Sequence, residues 1–306
     1  MLSTINSRAA LPADLKAMQL QFNISYRTLL SVNPKTEKSA VQTYILHLAP
    51  YNLSGVNICA GAGNCKKICL HFAGNPVYMK NKESARIRKT WAFSADPELF
   101  MRLVLCAILD KNKKHDGEKL AMRLNGTSDI LWESIDFTIT PEFSKFCRIK
   151  FGALVPIGKR NIFEIFNFIK NHTGQNIVFY DYTKVKHNWA ECRRLGYHLT
   201  FSFDGWNNAA NLKLCKDALD NGVNVAAAFN LKKKENLPEY INCAAIYEKD
   251  PAYNGRVFYI QDGDLTDYRP NDQYGGINGG SIIGLRFKLP HGVKYTAEEK
   301  AAFCIA

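Results

Sequence analysis

The sequence predicts an α/β fold, read as a partial (β/α) barrel of about six to seven mainly parallel strands. Three observations point there. Apolar, β-branched segments alternate with amphipathic helical ones along the chain. The strand segments are apolar on both faces, as parallel strands covered by helices must be. Polar residues recur just after those strands, at the C-terminal ends where barrels place their sites.

The elements follow in order. TYILHLAP (43–50) reads as a buried strand ended by Pro50. A cysteine-rich loop and a basic helical stretch come next. Asp96 as N-cap and Pro97 in the first turn open a helix near 97–110, with Leu99, Leu103, Ala107 and Leu109 among its apolar positions. KLAMRLNG (119–126) reads as a strand entering a glycine turn. Ile162, Phe163, Ile165, Phe166 and Ile169 give the apolar face of a helix near 160–170, closed by Gly174. Strand 176–182 then leads to a helix near 187–195 ending at Gly196, and strand 197–203 to a helix near 209–220 ending at Gly222. Further strands are expected at 223–230, 256–264 and 281–288. No Pro/Ser linker or low-complexity tract divides the chain. Residues 1–40 read as an N-terminal extension or cap, and 41–306 as one barrel-like domain carrying the cysteine loop.

Composition narrows the class. With 46% hydrophobic and 22% charged residues, the chain is neither disordered nor collagen-like. No apolar run approaches the ~20 residues that span a bilayer, so no membrane partner is expected. The opening MLSTINSRAALPADLK lacks a basic cap, apolar stretch and small-residue cleavage site, so a cytoplasmic protein is expected. Lys and Arg number 40 against 28 Asp and Glu, a formal charge of +12 that favours an anionic substrate or nucleic acid as partner. The basic runs at 80–89, 111–119 and 231–234 read equally well as solvated faces.

The nine cysteines are unevenly placed. Cys59, Cys65 and Cys69 lie within eleven residues, whereas Cys106, Cys147, Cys192, Cys215, Cys243 and Cys304 are solitary and mostly read as core, Cys106 and Cys215 from their apolar helical patterns. NICAGAGNCKKICL spaces its thiols C-x5-C-x3-C on a Gly/Ala-rich backbone that can wrap a compact object closely. Several thiolates from one short loop suit a [4Fe-4S] cluster, each taking a different iron. Zinc is the alternative, but structural zinc sites prefer closer pairs and a second pair to match. Three uncoordinated thiols are the bland reading. Three ligands leave one iron for a distant cysteine, a substrate or a cofactor, and no fourth ligand stands out.

Other candidates sit after strands. In RLNGTSDILWE, Asn125, Ser128 and Asp129, with Thr127 and Glu133, are placed to hydrogen-bond a polar ligand or cofactor beside an exposed iron; the competing reading is a turn capping a short helix. Tyr182 and Lys184 follow another strand, Lys184 as holder of an anionic ligand or simply a solvated lysine. Asp204 follows FSF. DGDLTDYR gathers Asp262, Asp264, Asp267 and Arg269, as a site or as an Asx turn with a surface ion pair. His71 is a candidate donor to a cluster sulfur or a packing residue.

A cysteine loop directly after the first strand resembles the radical S-adenosylmethionine enzymes. That resemblance implies a radical SAM-like barrel and S-adenosylmethionine as a cofactor on the open iron. The superfamily's cysteines are more tightly spaced and usually have an aromatic residue before the last one, where this chain has Ile68. A closer resemblance is to the phage family named after gene product 88. It is carried by LAPYNLSGVNICAGAGNCKKICL, RLNGTSDILWE, DGDLTDYRP and GGSIIGLRFK, over roughly residues 44 to 288. It implies a phage-encoded iron–sulfur protein of the host cytoplasm, without an established substrate. Redox or radical chemistry is the expectation; a non-catalytic, structural or redox-sensing accessory that binds nucleic acid is the alternative.

Overall fold

The structure, a computed structural model, describes residues 9–32, 41–69, 80–115, 118–242, 257–272, 279–289 and 293–305. His71 and Cys243 fall outside the described residues. The chain divides into two units interleaved in sequence. Met1–Ile58, Met79–Phe179 and Arg193–Tyr197 make the first; Cys59–Tyr78, Tyr180–Cys192 and His198–Ala306 make the second.

The first unit opens with α1 (Ala13–Phe22), α2 (Tyr26–Leu29), β1 (Leu30–Ser31) and β2 (Gln42–Leu46). It continues with α3 (Lys80–Ala95), α4 (Pro97–Lys114), β3 (Leu120–Arg123), β4 (Phe137–Ile139), α5 (Pro141–Phe151), β5 (Gly158–Arg160), α6 (Ile162–Thr173) and the start of β6 (Ile177–Thr183). Its helices begin where local chemistry says they should. Asp96 accepts from the Leu99 N–H at 2.9 Å to cap α4, with Pro97 in the first turn. Asn161 and Glu164 form a reciprocal capping box on α6, and Gly174 closes that helix at φ +72°. The main sheet runs β1-β2-β3-β6, with β1 antiparallel to β2 and the others parallel. Every residue of β3 is buried, as a central parallel strand requires. β4 and β5 form a separate antiparallel pair. The N-terminal helices pack on α3 and α4, and Leu30 lies opposite Leu46, so residues 13–31 add two helices and an edge strand to this unit.

The second unit takes the end of β6, most of α7 (Trp189–Arg194) and most of β7 (Tyr197–Ser202). It then has α8 (Ala209–Asp220), β8 (Val225–Phe229), β9 (Tyr240–Asn242), β10 (Val257–Asp262), β11 (Ile282–Arg286) and α9 (Ala297–Phe303). The order here is β7-β8-β11-β10-β9, parallel except for β9 against β10. The expected mixed α/β fold with mostly parallel strands is therefore present. Both orders are linear and end on edge strands, β1 and β9, so the described residues form no closed barrel. No helix among them is long and apolar enough to cross a membrane.

Candidate functional site

In the second unit the cysteine loop is a series of tight turns. Ala62 N–H donates to the Cys59 carbonyl at 3.0 Å, and a 3-10 turn over Asn64–Lys66 is followed by Ile68 N–H on the Cys65 carbonyl at 3.2 Å. Cys59, Cys65 and Cys69 are half-buried, and none is in a disulfide. A Cβ on Gly61 would lie 2.8 Å from both the Cβ and the carbonyl oxygen of Lys184, just after β6. One on Gly63 would lie 2.1 Å from Asp204 Oδ2. These two glycines let the loop lie directly against the segments that follow strands β6 and β7.

Asp204, completely buried two residues after β7, holds the loop. Its Oδ2 accepts from the Asn64 N–H at 2.8 Å and from Asn208 Nδ2 at 2.9 Å, and its Oδ1 from the Cys65 N–H at 3.0 Å. Asn64 Nδ2 returns the contact, donating to the Asp204 carbonyl and to Asn207 Oδ1, each at 2.6 Å. Asn211 accepts from the Asp204 N–H at 2.8 Å. Asn208 also caps α8, so the helix start and the clamp share a residue. A carboxylate meeting three donors in a dry setting is the strong form of hydrogen bonding. Burial pushes the Cys65 thiol above its ordinary value, with Asp204 adding to that and Lys184 opposing it. Within the loop, Lys67 forms an ion pair with Glu299 on α9.

The donor set suits a soft metal group. Three free thiols on one short loop offer sulfur ligands, the donor type that zinc and iron–sulfur groups take. Cys59, Cys65 and Cys69 are the residues that would hold such a group.

The remaining candidates are distributed between the units. Lys184 and Asp204 come to the cysteine loop. Tyr182, half-buried, is also in the second unit. Asp262 is bound by Arg286 Nη1 at 2.9 Å to both carboxylate oxygens, and Asp264 by Lys288 Nζ at 2.6 Å, an arrangement of ordinary ion pairs. Asn125, Ser128, Asp129 and Glu133 belong to the first unit. Asn125 Oδ1 accepts from Ser128 Oγ, the Ile130 N–H and Trp132 Nε1 within 3.0 Å, so Asn125 builds its own loop. The Asp129 N–H donates to the Ile58 carbonyl at 2.9 Å, fixing the residue that precedes Cys59. Sequence reading passed over the asparagines Asn64, Asn207, Asn208 and Asn211. The one available signal was Asn208, an N-cap residue ahead of an apolar helical pattern.

Comparison with known proteins places the chain. The family model for gene product 88 matches residues 25–306. No curated protein and no solved structure matches it. With all but its first 24 residues inside that model, the chain belongs to the gene product 88 family.

Proposed function

We propose that this is a phage-type iron–sulfur protein whose Cys59, Cys65 and Cys69 hold a [4Fe-4S] cluster for redox or radical SAM-like chemistry. One observation supports it above the others: three half-buried thiols sit on a glycine-rich loop whose central turn is fixed by a buried carboxylate. Such a loop is held in shape before any ligand arrives, which lowers the ordering cost of binding. A bound cluster supplies one-electron transfer to a substrate or cofactor. The protein's own part is to fix Cys65 through Asp204, to keep the loop close through Gly61 and Gly63, and to offer the Lys184 ammonium against thiolate charge. Substrate and fourth ligand stay open in this reading, and S-adenosylmethionine enters it only through the family resemblance.

Anaerobic purification tests it. Iron and sulfide should be found with a brown, cluster-type absorption spectrum. Cys65→Ala should lose the iron, while Cys215→Ala, a buried thiol in α8, should keep it. A colourless, zinc-loaded protein, or equal iron in both variants, sinks the assignment. Reductive cleavage of S-adenosylmethionine by the reduced protein supports radical chemistry. A cluster without that activity points to a structural or redox-sensing role.

A further inference from the structure

We propose that the first unit binds the sugar–phosphate backbone of a nucleic-acid duplex through a basic rim where helices α4, α5 and α6 end. The surface is separate from the thiols and does not depend on the iron–sulfur reading. It starts from a lopsided charge. The first unit holds 24 Lys and Arg against 13 Asp and Glu, a formal charge of +11, and the second holds 16 against 15, a charge of +1. Almost all of the chain's excess of +12 therefore belongs to one unit. Self-repulsion of that size works against the compact state, and such asymmetry is the electrostatic footprint of a polyanionic partner.

Three helix ends concentrate that charge. Each closes on a basic last turn: Lys111, Lys113 and Lys114 in α4, Arg148 and Lys150 in α5, and Lys170 in α6. Two hydrogen bonds bring the ends together. Lys113 Nζ donates to the Lys150 carbonyl at 2.8 Å, joining α4 to α5. Asn112 Nδ2 donates to Gln175 Oε1 at 2.8 Å, joining α4 to the residue after Gly174, which closes α6. Because α4 leads into β3 and α6 into β6, the rim lies at the N-terminal edge of these parallel strands. The loop that Asn125 builds is at their opposite edge.

A helix C-terminus carries about half a negative charge, so fewer than two cations answer all three ends. Lys113, Lys114, Arg148 and Lys170 are all exposed there. Lys111 turns aside to the Arg27 carbonyl at 3.3 Å. Asp110 pairs with Lys114 at 2.7 Å and Glu118 with His115 at 3.1 Å, surface pairs that contribute little and yield readily to phosphate. The surplus stands in solvent, where phosphates can meet it and release their counterions. What the rim lacks fixes the form of the partner. Among the described residues the exposed Trp and Tyr side chains, Trp91, Tyr240 and Tyr259, lie on α3, β9 and β10. Single strands are gripped by stacking on such rings, and protein partners by aromatic or apolar anchors. A duplex, with its phosphates outward, needs neither.

The test measures binding of the full-length protein to a short DNA duplex, the same duplex in RNA, and the single strands, over a series of salt concentrations. Log affinity for a duplex should fall with log salt at a slope of about −3 to −4, as four neutralised phosphates require, and the tighter duplex identifies the sugar. The triple variant Lys113→Gln, Arg148→Gln, Lys170→Gln takes one cation from each helix end. It should weaken binding about tenfold or more and flatten the slope by about two to three. Lys232→Gln, Lys233→Gln, Lys234→Gln removes the same charge from exposed positions of the second unit and should change neither. Should the rim variant fail to fold, lysine acetylation of the unaltered protein decides, with duplex shielding Lys113, Lys114 and Lys170 and leaving Lys232, Lys233 and Lys234 reactive. Absence of duplex binding, a slope near zero, tighter binding of single strands, equal loss in both triple variants, or equal shielding of all six lysines overturns the rim.

Discussion

Replacing Asp204 should release the cysteine loop, and the size of the effect follows from its hydrogen bonds. The carboxylate accepts from Asn64, Cys65 and Asn208 at 2.8 to 3.0 Å while fully buried itself. Bonds to a charged partner contribute about 1.5–3 kcal/mol each, but all three donors belong to half-buried residues that water can reach once the acceptor is gone. Asp204→Ala is therefore expected to lose about 3–5 kcal/mol. Asp204→Asn keeps one acceptor oxygen and turns an NH2 towards the other donors, so about 2–3 kcal/mol is expected. Asn207→Ala, which removes one exposed neutral acceptor, should lose about 1 kcal/mol or less. Urea unfolding of the three variants gives the energies, and hydrogen exchange at the Asn64 and Cys65 amides should accelerate in both Asp204 variants. An alanine variant within about 1 kcal/mol of the unaltered protein would refute the clamp. So would normal iron content together with an unchanged exchange pattern.

Three other outcomes are expected. Gly63→Ala puts a Cβ 2.1 Å from Asp204 Oδ2, so the loop must shift; a loss of about 1–3 kcal/mol, with iron loss like that of Cys65→Ala, is measurable by the same methods. Burial outweighs Arg269, 3.2 Å away, and pushes the Asp272 carboxyl up from 3.8 to about 6. The folded protein thus holds that proton more tightly than the unfolded chain. The stability it lends is present in acid and is lost as pH rises through 6, by at most about 3 kcal/mol. Urea unfolding at pH values on either side should show the slope in the unaltered protein and not in Asp272→Asn. Asn161→Ala removes the α6 capping box and should lower stability by about 1 kcal/mol.

What the sequence made legible was local. Asp96 with Pro97, and the apolar face closed by Gly174, announce α4 and α6 within a few residues of their ends. The same signals stand at Thr140, Pro141 and Gly152, yet α5 was not anticipated, because only Phe143, Phe146, Cys147 and Phe151 mark its buried face. The three neighbouring thiols were legible because all of them lie on one short loop. Asp204 was visible as an acidic residue after a strand, a position that suggests chemistry. Its partner Asn64 is 140 residues away, so no periodicity or spacing reveals that the carboxylate is an anchor. Barrel closure failed for the same reason. Alternation of strand and helix fixes parallel pairing, but whether two edges meet depends on non-local pairing such as β9 against β10.

An acidic anchor beside three thiols looks unfavourable, since Asp204 makes the Cys65 thiolate harder to form. The hydrogen bonds resolve this. The carboxylate charge is met by two main-chain N–H groups and one side-chain amide, and Lys184 opposes its effect on the thiol. A neutral acceptor would leave Cys65 easier to ionise, but a single amide oxygen cannot grip two successive N–H groups from both sides. Geometry therefore outranks thiol acidity at this position. A ligand that binds thiolates strongly enough to displace their protons, as iron and zinc do, tolerates that order of priorities. A nucleophilic cysteine, which depends on a lowered thiol value, does not. Under the proposed coordination, the clamp gives up thiol acidity at Cys65 in exchange for a fixed loop geometry.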